Sequence, residues 1–182
     1  ELNQDAGSGN FLITKETYLR RIAGKTASLF ALSAYAGAAV AVSDRNKQYL
    51  LHRIGYCLGM AFQIKDDILD YTGDAASLGK DTGQDVHIGV PTYPLIAALL
   101  EEKSQDPENR PLHELVKNKK KLTKRESKKI VKLAVSLGGA KKAEELAATY
   151  IQRALRDIEK LDNKEVQSSL ISLYNKLSTR NI

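Results

Sequence analysis

Apolar residues recur along most of this chain at spacings of three and four, which is the period of an α-helix. Two long helices are predicted first, one running from a cap at Thr14 to about Val42 and one at 46–71. Four more are predicted at 92–103, 123–137, 141–161 and 164–178. No segment shows convincing alternation of apolar and polar residues, and there is no hairpin turn signal or internal repeat. The pattern therefore predicts an all-α orthogonal bundle that forms a single domain over residues 1–182.

Helix caps and breakers support these boundaries. Thr123 followed three residues later by Glu126 has the form of a capping box. Pro91 suits the first turn of the helix that follows it, and Gly138 begins a glycine pair that ends a helix. The connection at 72–90 is long for a compact domain, which favours a functional role for that loop.

The helix at 46–71 changes character along its length. Its middle, IGYCLGMAFQI, is apolar nearly all round, which indicates burial. At 3.6 residues per turn, Asp66, Asp67 and Asp70 then share the face of Gln63. Three carboxylates on one face repel one another unless the face is wet or a cation lies between them, and oxygen ligands at this spacing suit Mg²⁺. The DDILD segment alone is also compatible with an ordinary solvated helix end.

Two lysines lie where an anion could be bound. Lys25 lies midway along an apolar helical stretch, and Lys80 lies in the glycine-rich loop that follows the aspartates. A lysine in an apolar helix needs an anion or must extend its ammonium group to water. Considered alone, Lys25 is compatible with a surface residue, and Thr26 beside it with a hydroxyl bonded to its own helix.

The amino-acid composition indicates a globular protein without a membrane-spanning segment. With 42% hydrophobic and 27% charged residues, the chain is typical of a globular protein with a core. No apolar run approaches the roughly 20 residues of a membrane span. The single cysteine, Cys57, is predicted to be a small core residue. Because no disulfide can form within the chain, a reducing cytoplasm is the expected location.

The net charge of +6 is concentrated in one region. Nine of the residues from 117 to 132 are lysine or arginine, and Glu126 is the one acid among them. Such a run is typical of a surface that binds an anionic partner, either a nucleic acid or a membrane. It is equally typical of the solvent-exposed face of a peripheral helix pair. No aromatic residue lies between the lysines to stack on bases. We therefore expect no nucleic-acid partner.

Four segments carry a family resemblance. FQIKDDILD, LGKDTGQD and GVPTYPLI resemble the second aspartate-rich motif and trailing loop of the trans-isoprenyl diphosphate synthases, or polyprenyl synthetases. RRIAGKTASLF resembles the Lys-Thr motif of the same family. The resemblance extends through essentially all 182 residues but corresponds to the later part of a longer family chain. Val90, where the family often has lysine, and the C-terminal STRNI are closest to bacterial long-chain members of the hexaprenyl and heptaprenyl type.

The resemblance implies a fold, a reaction and a set of roles. The fold is an incomplete helical bundle of the isoprenoid synthase type. In the reaction, an allylic diphosphate ionises in the presence of Mg²⁺ and isopentenyl diphosphate attacks the cation head to tail, extending an all-trans chain. Asp66 and Asp70 are the expected metal ligands, and Asp67 either ligates or holds waters. The remaining expected site residues are Lys25, Lys80 and Arg180 at the diphosphate, and Thr26 and Gln63 beside the allylic cation.

The same resemblance sets expectations about what lies outside these residues. Nothing here matches the first aspartate-rich motif or the basic residues that hold isopentenyl diphosphate, so an N-terminal half is expected upstream. The 182 residues alone are expected to be inactive, and the protein to form a homodimer or heterodimer with a peripheral membrane contact for product release. Two other hypotheses are a non-catalytic partner subunit of the same fold and a basic helical nucleic-acid binder.

Overall fold

The computed structural model of the protein describes residues 10–73, 82–119 and 122–178. Within these ranges the regular structure is entirely helical. The first part contains α1 (Lys15–Ile22), a π-helical segment (Ala23–Ala27), α2 (Ser28–Ala41) and α3 (Arg45–Thr72). The remainder contains α4 (Gln84–His87), α5 (Tyr93–Gln105), α6 (Pro111–Val116), α7 (Lys124–Ser136), α8 (Gly139–Ile158) and α9 (Lys164–Ser178). The all-α prediction is confirmed.

Local capping explains where several helices begin. At the start of α7, the Thr123 hydroxyl accepts the Glu126 N–H at 3.2 Å, and the Glu126 carboxylate accepts the Thr123 N–H at 2.8 Å. The pKa of the Glu126 carboxyl is lowered to about 2, first by the hydrogen bond from the Thr123 N–H and then by those from the Lys119 ammonium and the Thr123 hydroxyl. Gly138 adopts a φ of 77°, which glycine accommodates, between α7 and α8.

Two sequence predictions about boundaries need correction. Pro91 precedes α5, and the proline in the first turn of that helix is Pro94. No helix was predicted between 103 and 123, yet the short helix α6 forms there, and a side chain of α5 caps its first N–H groups. The buried Glu102 carboxylate accepts the N–H groups of Leu112 at 2.5 Å and His113 at 2.9 Å.

The chain divides into two compact units, 1–21 with 66–145 and 22–65 with 146–182. The core of the first unit is formed by aliphatic and aromatic side chains from α3 to α7, including Tyr71, Leu95 and Ile130. The core of the second includes Ile54 and Ile158. A single domain over residues 1–182 stays a prediction.

In the second unit, two glycines of α3 allow close helix packing. A Cβ on Gly55 would lie 2.5 Å from the carbonyl oxygen of Phe30, and a Cβ on Gly59 would lie 2.7 Å from the Cα of Ala27. Both distances are shorter than van der Waals contact, so only glycine fits at either position. The rings of Phe30 and Phe62 pack beside them with centroids 5.5 Å apart. The two glycines therefore fix α3 directly against the π-helical segment and α2.

None of the helices in the described residues is long and apolar enough to span a lipid bilayer.

We expect Gly59→Ala to destabilise the complete protein by about 1–3 kcal/mol, because the added methyl group must displace the backbone at Ala27. Gly37→Ala is the matched control, since a Cβ there meets nothing within 4 Å. That control should be neutral or stabilise by up to about 1 kcal/mol, because alanine favours a helix interior. Urea denaturation compares the two variants, and equal stabilities would contradict the packing described here.

Candidate functional site

The Lys25-Thr26 pair lies in the π-helical segment Ala23–Ala27. The sequence predicted one uninterrupted α-helix to Val42, and that prediction is wrong at this turn. The Ser28 N–H reaches back five residues to the Ala23 carbonyl. Its hydroxyl donates to the carbonyls of Ala23 and Gly24, each at 2.9 Å. Single π-helical turns inside α-helices are frequent at functional sites, because they change the direction of a few side chains.

The structure brings together two of the predicted site residues of the second unit. The Thr26 hydroxyl donates to the side-chain oxygen of Gln63 at 2.6 Å, and Gln63 is 9% exposed. The alternative that Thr26 bonds its own helix is therefore not what the structure shows. Lys25, next to Thr26, is exposed.

In the first unit, the three aspartates at the end of α3 have three different environments. Asp66 is exposed, and Asp67 is 6% exposed. Asp67 accepts a hydrogen bond from the Tyr18 hydroxyl at 2.7 Å. Asp70 is half-buried and faces the start of α4. Among the described residues, no three His, Cys, Asp or Glu side chains are grouped to hold a metal ion by themselves.

Tyr18 of α1 is fully buried, and its hydroxyl fixes the Asp67 side chain at the end of α3. Its ring stacks on Tyr93 with centroids 5.7 Å apart, and the Arg21 guanidinium lies 5.7 Å from the Tyr18 ring. Burial, followed by the nearby charge of Asp67, raises the pKa of the Tyr18 phenol well above its ordinary value. The phenol therefore keeps its proton and donates it in the hydrogen bond to Asp67. No role was predicted for Tyr18 from the sequence. The available signal was its position one helical turn before Ile22 on the apolar face of α1, since a buried tyrosine hydroxyl needs a partner.

Asp70 connects the aspartate motif to the loop that follows it. Its two carboxylate oxygens accept the N–H groups of Gln84 at 2.9 Å and Asp85 at 3.0 Å. The Gly83 N–H donates to the Asp70 carbonyl at 2.8 Å, and Gly83 has a φ of 81°. The end of the loop is therefore anchored on Asp70. Lys80, the predicted diphosphate ligand within that loop, and Arg180 near the C-terminus lie outside the described residues.

The donor set is compatible with a hard divalent cation. Asp66 presents an exposed carboxylate, and Asp70 lies one helical turn further along. Each Asp70 oxygen accepts one N–H and retains one further acceptor direction. Mg²⁺ commonly takes one or two protein carboxylates and completes its shell with waters and phosphate oxygens. These two aspartates therefore fit such an ion, whereas Asp67 is buried and accepts the Tyr18 hydroxyl.

Comparison with known proteins then gives the family. A family model described as polyprenyl synthetase matches residues 2–134, well over half of the chain. The chain belongs to the polyprenyl synthetase family. The family prediction made from the aspartate-rich and Lys-Thr motifs is confirmed.

Individual polyprenyl synthetases resemble the chain over nearly all of its length. It is 34% identical over 173 residues to a decaprenyl-diphosphate synthase of Dictyostelium discoideum, covering 94% of this chain and 36% of that protein. It is 32% identical over 186 residues to heptaprenyl diphosphate synthase component 2 of Bacillus subtilis, covering 99% of this chain and 50% of that protein. The chain thus spans half or less of the length of these two relatives.

The fold is shared with solved polyprenyl synthetases. A polyprenyl synthase from Caulobacter crescentus CB15, solved in complex with calcium and isoprenyl diphosphate, matches with a TM-score of 0.85 at 29% identity. The match covers 100% of this chain and 54% of that one. The predicted isoprenoid synthase type of helical fold is therefore confirmed.

We expect Tyr18→Phe to lower the free energy of unfolding by about 1–3 kcal/mol, because the buried Asp67 carboxyl group loses the hydrogen bond that the Tyr18 hydroxyl donates. Tyr93→Phe removes the same atom from the ring stacked on Tyr18. In the described parts of the chain, the Tyr93 hydroxyl has no hydrogen-bond partner. The Tyr93 variant should therefore stay within about 0.5 kcal/mol of the natural protein. Urea denaturation of both variants in the complete protein is the measurement, and equal losses would show that the hydroxyl of Tyr18 has no special role.

Proposed function

We propose that the protein is a trans-polyprenyl diphosphate synthase that condenses isopentenyl diphosphate head to tail with an allylic diphosphate. The observation that carries the proposal is the exposed carboxylate of Asp66 one helical turn before Asp70, which is itself held by two backbone N–H groups. The names of the relatives, decaprenyl and heptaprenyl diphosphate synthases, support the reaction and favour a long-chain product.

In this proposal Asp66 and Asp70 hold a divalent cation together with the substrate diphosphate. The bound ion, which we propose to be Mg²⁺, supplies positive charge to the departing diphosphate. The solved polyprenyl synthase that contains calcium and isoprenyl diphosphate supports a divalent ion in this fold. Asp67 acts as a positioning residue, because its hydrogen bond to Tyr18 fixes the orientation of the helix turn between the two ligands.

Lys25 and Lys80 are proposed to pair with the allylic diphosphate and to stabilise the charge that it gains on leaving. Arg180 is proposed to add a further positive charge from the C-terminus. The exposed position of Lys25 leaves its ammonium group accessible to a substrate.

Thr26 and Gln63 are proposed to stabilise the allylic cation. Since the Thr26 hydroxyl hydrogen points at Gln63, the lone pairs of the Thr26 oxygen point elsewhere. That oxygen therefore presents its electron-rich side, which favours a nearby positive charge. The proton lost after condensation is proposed to pass to the released diphosphate.

A second candidate is a non-catalytic subunit of a heteromeric synthase. One relative is named component 2 of a heptaprenyl diphosphate synthase, which supports an assembly with an unlike partner. The accessible Asp66 and Lys25 favour a catalytic role, since a regulatory subunit would not need either side chain. We propose a dimer, with like or unlike partners, that acts in the cytoplasm.

Calorimetry on the complete protein tests the metal site. Mg²⁺ should bind weakly alone and much more tightly when a bisphosphonate analogue is present, because Mg²⁺ prefers to share substrate oxygens. Asp66→Ala with Asp70→Ala should abolish the coupled binding. Glu108→Ala with Glu144→Ala, which removes two exposed acids elsewhere, should not change it. Unchanged binding in the aspartate variant would refute the assignment.

Lys25→Ala should lower prenyl-transfer turnover by roughly 10²- to 10³-fold, the scale for losing one preorganised charge-stabilising group. Lys103→Ala removes an exposed lysine from the last turn of α5 and should leave turnover unchanged. Steady-state assays with an allylic diphosphate and isopentenyl diphosphate compare the variants. A loss below fivefold in the Lys25 variant would make Lys25 a surface residue without a catalytic role.

A further inference from the structure

The second unit contains a cavity of about 700 Å³ that the proposed reaction does not use. Its walls come from the first half of α3, at 52–57, and from the second half of α8 with the turn after it, at 150–160. Small-molecule sites in proteins commonly enclose about 300–1,000 Å³. The cavity is therefore large enough for an organic ligand.

The lining has an excess of positive charge. Four of its side chains carry a permanent positive charge and one, Asp157, carries a negative charge. Asp157 is 3% exposed, and its two oxygens pair with Arg53 at 2.8 Å and Lys160 at 2.7 Å. Across the described ranges, no carboxylate lies within 4 Å of the guanidinium of Arg153 or Arg156. These two arginines supply the charge that the protein does not neutralise locally.

Each of the two guanidinium groups makes one contact within the protein that restricts its orientation. Arg153 lies over the ring of Tyr150 at 5.5 Å from its centroid, within the range of a cation–π contact. The Arg156 Nε donates to the Gln152 carbonyl at 3.3 Å, a contact that does not use the two terminal nitrogens of that guanidinium. A guanidinium matches the oxygen pairs of a phosphate group with two parallel hydrogen bonds.

The rest of the lining is suited to an organic group. Tyr150 is buried, and Tyr56 and Cys57 are half-buried in the cavity wall. Aromatic faces of this kind provide contact area at low cost in conformational entropy. A bare inorganic anion would leave this wall unused.

We propose that this cavity binds a phosphorylated small molecule with at least two negative charges, its phosphate on Arg153 and Arg156 and its organic part against Tyr56 and Tyr150. The site is separate in sequence from the aspartate motif, and no ligand of the proposed metal ion lines it. Binding at this site therefore does not depend on the proposed function. An anionic lipid headgroup offers the same phosphate chemistry, and the test below separates the two sources.

Equilibrium dialysis of inorganic diphosphate against the complete protein in excess EDTA tests the charged half of the site. Arg153→Gln with Arg156→Gln should weaken binding by about tenfold or more, since two charge-assisted contacts are lost. Arg153→Lys with Arg156→Lys should lose less of the affinity for diphosphate. Lysine keeps the positive charge but does not provide the two parallel N–H donors of a guanidinium. The control Lys128→Gln with Lys132→Gln removes the same charge from exposed positions of α7 and should stay within twofold. Equal losses in the arginine-to-glutamine variant and this control, or no loss in either, would overturn the proposal.

Two further measurements test the organic half and the source of the phosphate. Phenyl phosphate should bind at least about threefold more tightly than inorganic phosphate, because its ring can pack against the tyrosines. Equal affinities would overturn the assignment of an organic ligand. Cosedimentation with phosphatidylserine vesicles should be the same for the natural protein and the arginine-to-glutamine variant. Vesicle binding that depends on both arginines, without any binding of inorganic diphosphate, would identify a membrane surface and overturn the small-molecule site.

Discussion

Electrostatic repulsion between carboxylates on one helix turn is the constraint on which this site depends. Two ionised carboxylates on neighbouring helical positions repel by on the order of 3 kcal/mol at an effective dielectric constant near 20. The structure meets this cost differently for each aspartate. Asp67 is buried against the Tyr18 phenol, Asp70 is held by two N–H groups at the start of α4, and Asp66 is left in water. Asp66 and Asp70 are thus more accessible to a hydrated cation than Asp67, which is 6% exposed.

The arrangement of the second unit depends on close backbone packing rather than on charge. Gly55 and Gly59 allow α3 to lie against the π-helical segment and the start of α2. The π turn is stabilised by Ser28, whose N–H and hydroxyl both reach the carbonyl of Ala23. These contacts place the Thr26 hydroxyl within hydrogen-bond distance of Gln63, a pair that neither helix would form alone.

The sequence predicts the helices well where the signal is local. The capping box at Thr123 and the bounds of α9 follow from neighbouring residues, and both agree with the structure. The choice between Pro91 and Pro94 for the first turn of α5 could not be made locally, because both residues suit a helix start. The π turn could not be predicted either, since a serine at position 28 is equally compatible with a regular α-helix.

The candidate site was predictable in its residues but not in the role of each one. A helical wheel places Asp66, Asp67 and Asp70 on one face, but it carries no information about a partner 49 residues away. That partner is Tyr18, and its hydrogen bond gives Asp67 an environment that the other two aspartates do not share. Cys57 shows the same limit. It packs against the core of the second unit as predicted, yet it is only half-buried and lines the cavity between α3 and α8.

Anomalous diffraction from crystals of the complete protein with Mn²⁺ and a bisphosphonate analogue tests whether Asp66 and Asp70 are the metal ligands. We predict that the ion lies within coordination distance, about 2.1 Å, of carboxylate oxygens of Asp66 and Asp70, while Asp67 remains hydrogen-bonded to Tyr18. An ion coordinated by Asp67 with that hydrogen bond broken, or no ion at either Asp66 or Asp70, would contradict this assignment of the ligands.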